Sequence, residues 1–172
     1  MVLAKDLQSD EFASFYKPYI EKVGNDDLIT ILNKSGEDLI FFFNSIPAEK
    51  LEYSYAEGKW TIKEVLLHII DAERIFCYRA LRFARNDKTS LQGFDENTYV
   101  PESCANSRTI GSLIDEYRKQ RASTLVLFSS FSEDVMKRKG IANENYMSVR
   151  ALGFVICGHE KHHCEVIKER YL

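Results

Sequence analysis

Glycine and proline are scarce in this chain of 172 residues, 8 and 3 respectively. That scarcity argues against a turn-rich β protein and for long helices. No apolar run approaches the roughly 20 residues needed to cross a bilayer; the longest, such as LIFFF at 39–43, stop far short. The opening MVLAKDLQSDEF lacks the apolar stretch of a secretory leader, so a cytoplasmic protein with no membrane partner is expected. The four cysteines, Cys77, Cys104, Cys157 and Cys164, include no CxxC pair. In a reducing compartment they are expected as free thiols, with Cys77, Cys157 and Cys164 as small core residues and Cys104 as the thiol to test for exposure. There is no basic excess: net charge is −3. Nucleic-acid binding through a basic face is therefore not expected, and the run Arg79, Arg82, Arg85 reads as the solvated side of a helix. Phosphate-cradling GxGxxG and GxxxxGK[ST] loops are absent, as are GxSxG and HExxH.

What is present is a core. Hydrophobic residues make up 45% of the chain and charged residues 28%, the balance of an ordinary globular protein, expected as one domain over 1–172. Helical periodicity predicts four main helices. The first spans about 26–46, with Leu28, Ile31, Leu32, Leu39, Phe42 and Phe43 on its apolar face, and Pro47 stops it. The second starts at Thr61 and runs to about Arg85; Thr61 followed three residues later by Glu64 has the spacing of a capping box. The third runs from Thr109 to about Ser129. The fourth is capped by Ser148 and carries Val149, Leu152, Val155 and Ile156 toward the C-terminus. Residues 130–147 read as a polar connection. Residues 86–108 read as a long loop, of the kind that serves as a binding loop or lid, and long enough to let the second and third helices run parallel.

All four histidines sit in two of these helices. His159 and His163 are four apart, which on an α-helix stacks both imidazoles on one face. His68 lies about two turns into the second helix. If the second and fourth helices pack side by side, the three rings fall at compatible heights, in either relative direction. Neutral imidazole suits zinc, nickel, iron or copper. Three protein ligands leave a position open for water or substrate, as catalytic sites do. His162, about 100° round the helix, is expected to face solvent.

Other candidates surround these three. Glu64 is either the partner of the Thr61 cap or an acceptor for an imidazole N–H. Asp71, three residues past His68, has the same second option and Glu73 points elsewhere; both read equally as surface charges. Glu160 and Glu165 fall off the shared histidine face. Trp60, the only tryptophan, either staples the chain or walls the pocket. Phe94, Asp95 and Tyr99 in the long loop are candidate substrate contacts.

Two segments carry a resemblance. WTIKEVLLHIIDAE at 60–73 is similar to the W-[ST]-x-x-E-[VI]-[LI]-x-H-[LI]-x-D-x-E helix of the DinB/YfiT-like metalloenzyme family, and GHEKHH at 158–163 resembles its C-terminal G-H-x-x-x-H. The likeness covers nearly the whole chain. It implies an all-α, four-helix up-down-down-up bundle with a long crossover between helices two and three, and frequent homodimers. It also implies a divalent metal, zinc or nickel before iron or manganese, on His68, His159 and His163. For function it implies a thiol S-transferase-type enzyme using a low-molecular-weight thiol and a small-molecule substrate. A metal-dependent hydrolase and a non-catalytic, DNA-damage-induced bundle protein stand as alternatives.

Overall fold

The computed structural model describes residues 1–172. In chain order the elements are α1 (Lys17–Ile20), α2 (Leu28–Asn44), α3 (Ile62–Ala84), α4 (Glu96–Glu102), α5 (Ile110–Ser129), α6 (Glu133–Met136), β1 (Lys139–Ala142), β2 (Asn145–Ser148) and α7 (Val149–Arg170). The four long helices, α2, α3, α5 and α7, are those that the periodicity predicts. Each begins on a side-chain cap that takes an orphan backbone N–H. Asp27 accepts from Ile29, Thr109 from Ser112 and Ser148 from Ala151. Thr61 and Glu64 form the reciprocal capping box.

Side-chain contacts give the directions. Tyr171 at the end of α7 donates to the Trp60 carbonyl at the start of α3, 2.8 Å, so α3 and α7 are antiparallel. Leu28 packs on Gly153 and Lys168 lies over the Phe42 ring, so α2 and α7 run together. Glu73 meets Arg121 and Cys77 meets Thr124, so α3 and α5 are parallel. The order is up-down-down-up. The connection 85–109 makes this possible by carrying the chain back along the bundle, and it holds the short helix α4.

The stretch 130–147 differs from the polar connection expected. It folds into α6 and a β1–β2 hairpin with Lys139 opposite Ser148. Asn143 and Glu144 turn it with positive φ, 49° and 63°, the backbone of a two-residue hairpin turn. Gly140 sits directly under Phe83: a Cβ there would lie 2.0 Å from the ring. The pattern was too short for periodicity to reveal.

Two apolar clusters fill the bundle. One gathers Leu28, Leu32, Phe76, Phe83, Phe128 and the first half of α7. The other gathers Leu39, Phe43, Leu66, Leu113, Tyr117 and Ile167. Between them lies a buried polar layer to which all four long helices contribute. Arg121 is its centre, 4% exposed. Its Nε and one terminal nitrogen donate to the two Glu73 oxygens, both at 2.9 Å. The same terminal nitrogen reaches Glu160 at 2.6 Å, and the other donates to the Leu32 carbonyl at 2.8 Å. Tyr117 donates to Glu160 at 2.8 Å and Thr124 to Glu73 at 2.6 Å. Glu73 is therefore a buried ion-pair partner and not the surface charge expected. Arg79 departs from expectation as well: it is 4% exposed and lies over the Phe76 ring.

Breaking a buried charge pair from one side leaves its partner stranded, at a cost of about 3–5 kcal/mol. Arg121→Met strands two carboxylates at once. We expect urea unfolding of that variant to show at least that loss, with Glu73→Gln losing less because its amide keeps one acceptor for the guanidinium.

Candidate metal centre

The polar layer has a second consequence on the seam between α3 and α7. Glu160 turns inward to Arg121, so its neighbour His159, about 100° round the helix, faces α3. One turn on, His163 faces the same way, and the antiparallel pairing brings His68 opposite both. His159 Nε2 lies 3.1 Å from His68 Nε2 and 3.0 Å from His163 Nε2. The ligand-capable nitrogens of the three rings all lie within 4.8 Å of one another.

The electrostatics keep these rings uncharged. Burial pushes His68 down to about 4 and His163 down to about 3, the latter helped by the neighbouring imidazoles. Burial and the same neighbours hold His159 well below its ordinary value. At neutral pH three neutral rings therefore present nitrogens to one point, where a proton alone cannot satisfy all three. With bonds of about 2.0–2.1 Å, two imidazoles on one cation stand about 2.9–3.4 Å apart. The two short separations fall in that range and the third is at most 4.8 Å, so two of the three pairs already stand at the spacing a shared divalent ion imposes.

The surroundings are aromatic. The Trp60 ring is 4.8 Å from His68, centroid to centroid, and Phe76 is 6.1 Å from His159. Tyr19 lies edge-on to His159 and His162, at 5.7 and 5.3 Å. Tyr19 reaches them because the N-terminal segment crosses α7 at Gly158. A Cβ on Gly158 would lie 2.0 Å from the Tyr19 carbonyl oxygen; only glycine admits this crossing. The glycine just before His159 thus has a physical reason, and Tyr19 is a residue that spacing could not find.

A pocket of about 360 Å³ opens beside His163 and His162, walled by Tyr55, Trp60, Val65 and Tyr171, with Lys59, Asn97 and Arg170 also on its lining. Trp60 is thus a pocket wall that also packs on His68. His162 is half-buried against Tyr19 rather than free in solvent. Phe94, Asp95 and Tyr99 do not line this pocket: Phe94 and Tyr99 stack on each other at 5.3 Å and Asp95 caps α4. From that loop the pocket takes Asn97 instead. Nor do Glu64 and Asp71 bond a histidine. Glu64 accepts from the Thr61 N–H at 2.7 Å and from Asn106 at 3.1 Å; Asp71 accepts from Arg74 at 3.1 Å. Both Glu64 oxygens are thus engaged, and Asp71 is turned to Arg74.

A helical bundle with histidines from two helices converging at a seam defines a class of proteins that build metal sites between facing helices. The sequence profile of the DinB superfamily matches residues 31–167, and the chain belongs to that family. A protein of Oceanobacillus iheyensis, named provisionally as a metal-dependent hydrolase, is 25% identical over 143 residues, which are 81% of this chain and 78% of the relative. Among solved structures, the chain is similar to YfiT from Bacillus subtilis, described as a probable metal-dependent hydrolase with an unusual four-helix bundle topology. The TM-score is 0.74 at 15% identity, over 83% of this chain and 82% of that one. It is also similar to the mycothiol-dependent maleylpyruvate isomerase, TM-score 0.66 at 12% identity, over 99% of this chain but 63% of that protein. At these identities the structural likeness is one of fold.

Gly158→Ala should lift the Tyr19 segment off α7. Overpacking at a buried contact costs about 1–3 kcal/mol. We expect a lower melting temperature and increased proteolysis within residues 1–24; an unchanged melting temperature would show that the crossing yields without cost.

Proposed function

We propose that the protein is a divalent-metal-dependent enzyme acting on a small molecule, with His68, His159 and His163 as the protein ligands of the ion. The observation that carries this reading is the meeting of three neutral imidazole nitrogens with 3.0 and 3.1 Å separations beside a pocket that His163 lines. The ion, when bound, would lower the pKa of a coordinated thiol or water and polarise a carbonyl. Zinc or nickel suits the all-imidazole donor set first, iron or manganese after them.

The chain's own groups would do the rest. Trp60, Tyr55 and Tyr171 bind the apolar part of a substrate. Tyr19 and Phe76, packed edge-on against His159, shield it from water. The reaction we favour is thiol transfer with an external low-molecular-weight thiol as nucleophile. Three of the protein's own thiols do not suit that role: Cys157 is buried and Cys77 and Cys164, expected in the core, are half-buried, and desolvation pushes all three up to about 12, which keeps them protonated. Cys104 is exposed and lies outside the pocket lining. The four cysteines are all free, which suits a reducing, cytoplasmic setting; a homodimer completes the proposal. Hydrolysis, with water in place of the thiol, is the second reading, and the name of the Oceanobacillus relative favours it.

His159→Ala removes the ring that touches both others. Elemental analysis of untagged protein should show bound metal in the parent and little in this variant; equal metal content in the two would overturn the site. Turnover of electrophilic and ester substrates with and without an added low-molecular-weight thiol separates the two reactions. Strict thiol dependence supports transfer, and thiol-independent turnover supports hydrolysis.

A further inference from the structure

The pocket beside the histidines has a lopsided charge. Lys59 and Arg170 line it, and no aspartate or glutamate does. The chain as a whole carries net charge −3, so a cationic lining without a carboxylate runs against its average. Neither cation is consumed by an acidic partner. Arg170 donates to the neutral Tyr55 hydroxyl at 3.2 Å and lies over that ring at 5.3 Å. That contact orients the guanidinium without neutralising it. Of the acidic side chains near this end of the bundle, Glu64 is held in its capping box and Glu165 is paired with Lys22 at 2.5 Å; Glu169 acts on His162 but does not line the pocket. Asn97, arriving from α4, adds an amide donor to the same lining.

The remaining walls are flat and apolar: Tyr55, Trp60 and Tyr171, with the Tyr55 and Tyr171 rings 5.0 Å apart and nearly perpendicular. Cations on an apolar aromatic wall select a ligand with an anionic end and an apolar body. A guanidinium oriented by its neighbours pairs with a carboxylate through two parallel hydrogen bonds, and the absence of acidic lining removes the repulsion that would exclude one.

We propose that Arg170 and Lys59 form a carboxylate-recognising subsite at the mouth of the three-histidine centre, so that the substrate is a small organic carboxylate with a flat apolar body. As a substrate subsite this rests on the reading of the histidine cluster as the reaction centre; as an anion site it stands on the pocket alone. Arg170 and Lys59 grip the anionic end, and the aromatic walls take the body. The reactive end is directed toward His163.

Trp60 is the only tryptophan and lines the pocket, so its fluorescence reports occupancy. The test titrates phenylacetate and its neutral counterpart phenylacetamide into zinc-loaded and metal-free protein, with metal content measured on the same samples. The carboxylate should bind about tenfold or more tightly than the amide in both forms, the low end of what a charge-assisted hydrogen bond contributes. Arg170→Gln combined with Lys59→Gln should abolish that preference, with the circular dichroism spectrum unchanged. Equal affinities, no saturable response to either probe, or a preference that survives in the double variant would overturn the subsite. So would a preference present only with zinc, since the carboxylate would then be sitting on the ion. A protein that takes up no metal yet prefers the carboxylate would support the anion site and count against the metal reading.

Discussion

The architecture depends on one guanidinium. Arg121 donates hydrogen bonds to α2, α3 and α7 from its own place on α5, all within a layer closed to water. Five N–H groups in a fixed fork meet acceptors that the other helices must deliver at set heights and rotations. Apolar packing alone tolerates sliding and rotation of helices; a satisfied buried fork does not. Net stabilisation from such a layer is modest, because burying the charges offsets much of the Coulombic gain. Its contribution here is register. Glu73 lies five residues past His68 and Glu160 next to His159, so clamping the two glutamates inward also sets where the histidines point.

The same layer divides the bundle into two apolar halves with different work. The half built on Leu28, Phe83 and Phe128 receives the N-terminal segment and the hairpin. The other half surrounds the end of the bundle at which the pocket opens. The N-terminal segment is fastened where it crosses: Glu11 is buried and paired with Arg150 at 2.8 Å, and the Leu28 N–H donates to the Val2 carbonyl at 2.9 Å. Tyr19 is thereby held edge-on against His159 and His162. Burial keeps the imidazoles neutral, and the pocket beside His163 leaves a way in for a ligand.

The sequence and the structure part company at several particular residues. Phe94, Asp95 and Tyr99 drew notice because long loops carry function, yet the loop forms α4 and offers Asn97 instead. Glu64 and Asp71 have the right spacing from His68, but Glu64 is taken up by its cap and Asp71 pairs with Arg74. Glu73, Arg79 and Glu160 look like ordinary surface charges in a linear text; burial of a charge depends on partners from other helices, which local pattern does not contain. The β1–β2 hairpin escaped because four-residue strands carry too little alternation to outweigh a polar composition.

The chain's own text determined the four helices, because helical spacing of apolar residues and a polar cap at each start are local properties. It also determined that His159 and His163 share a face, which follows from helix geometry alone. Tertiary structure decided that His68 joins them and that Tyr19 covers them. It also set Arg170 and Lys59 in one pocket and made Gly158 the only residue type that fits its position. Each of these is a contact between segments far apart in sequence, and the arrangement that makes them exists only once the buried polar layer has set how the helices stand against one another.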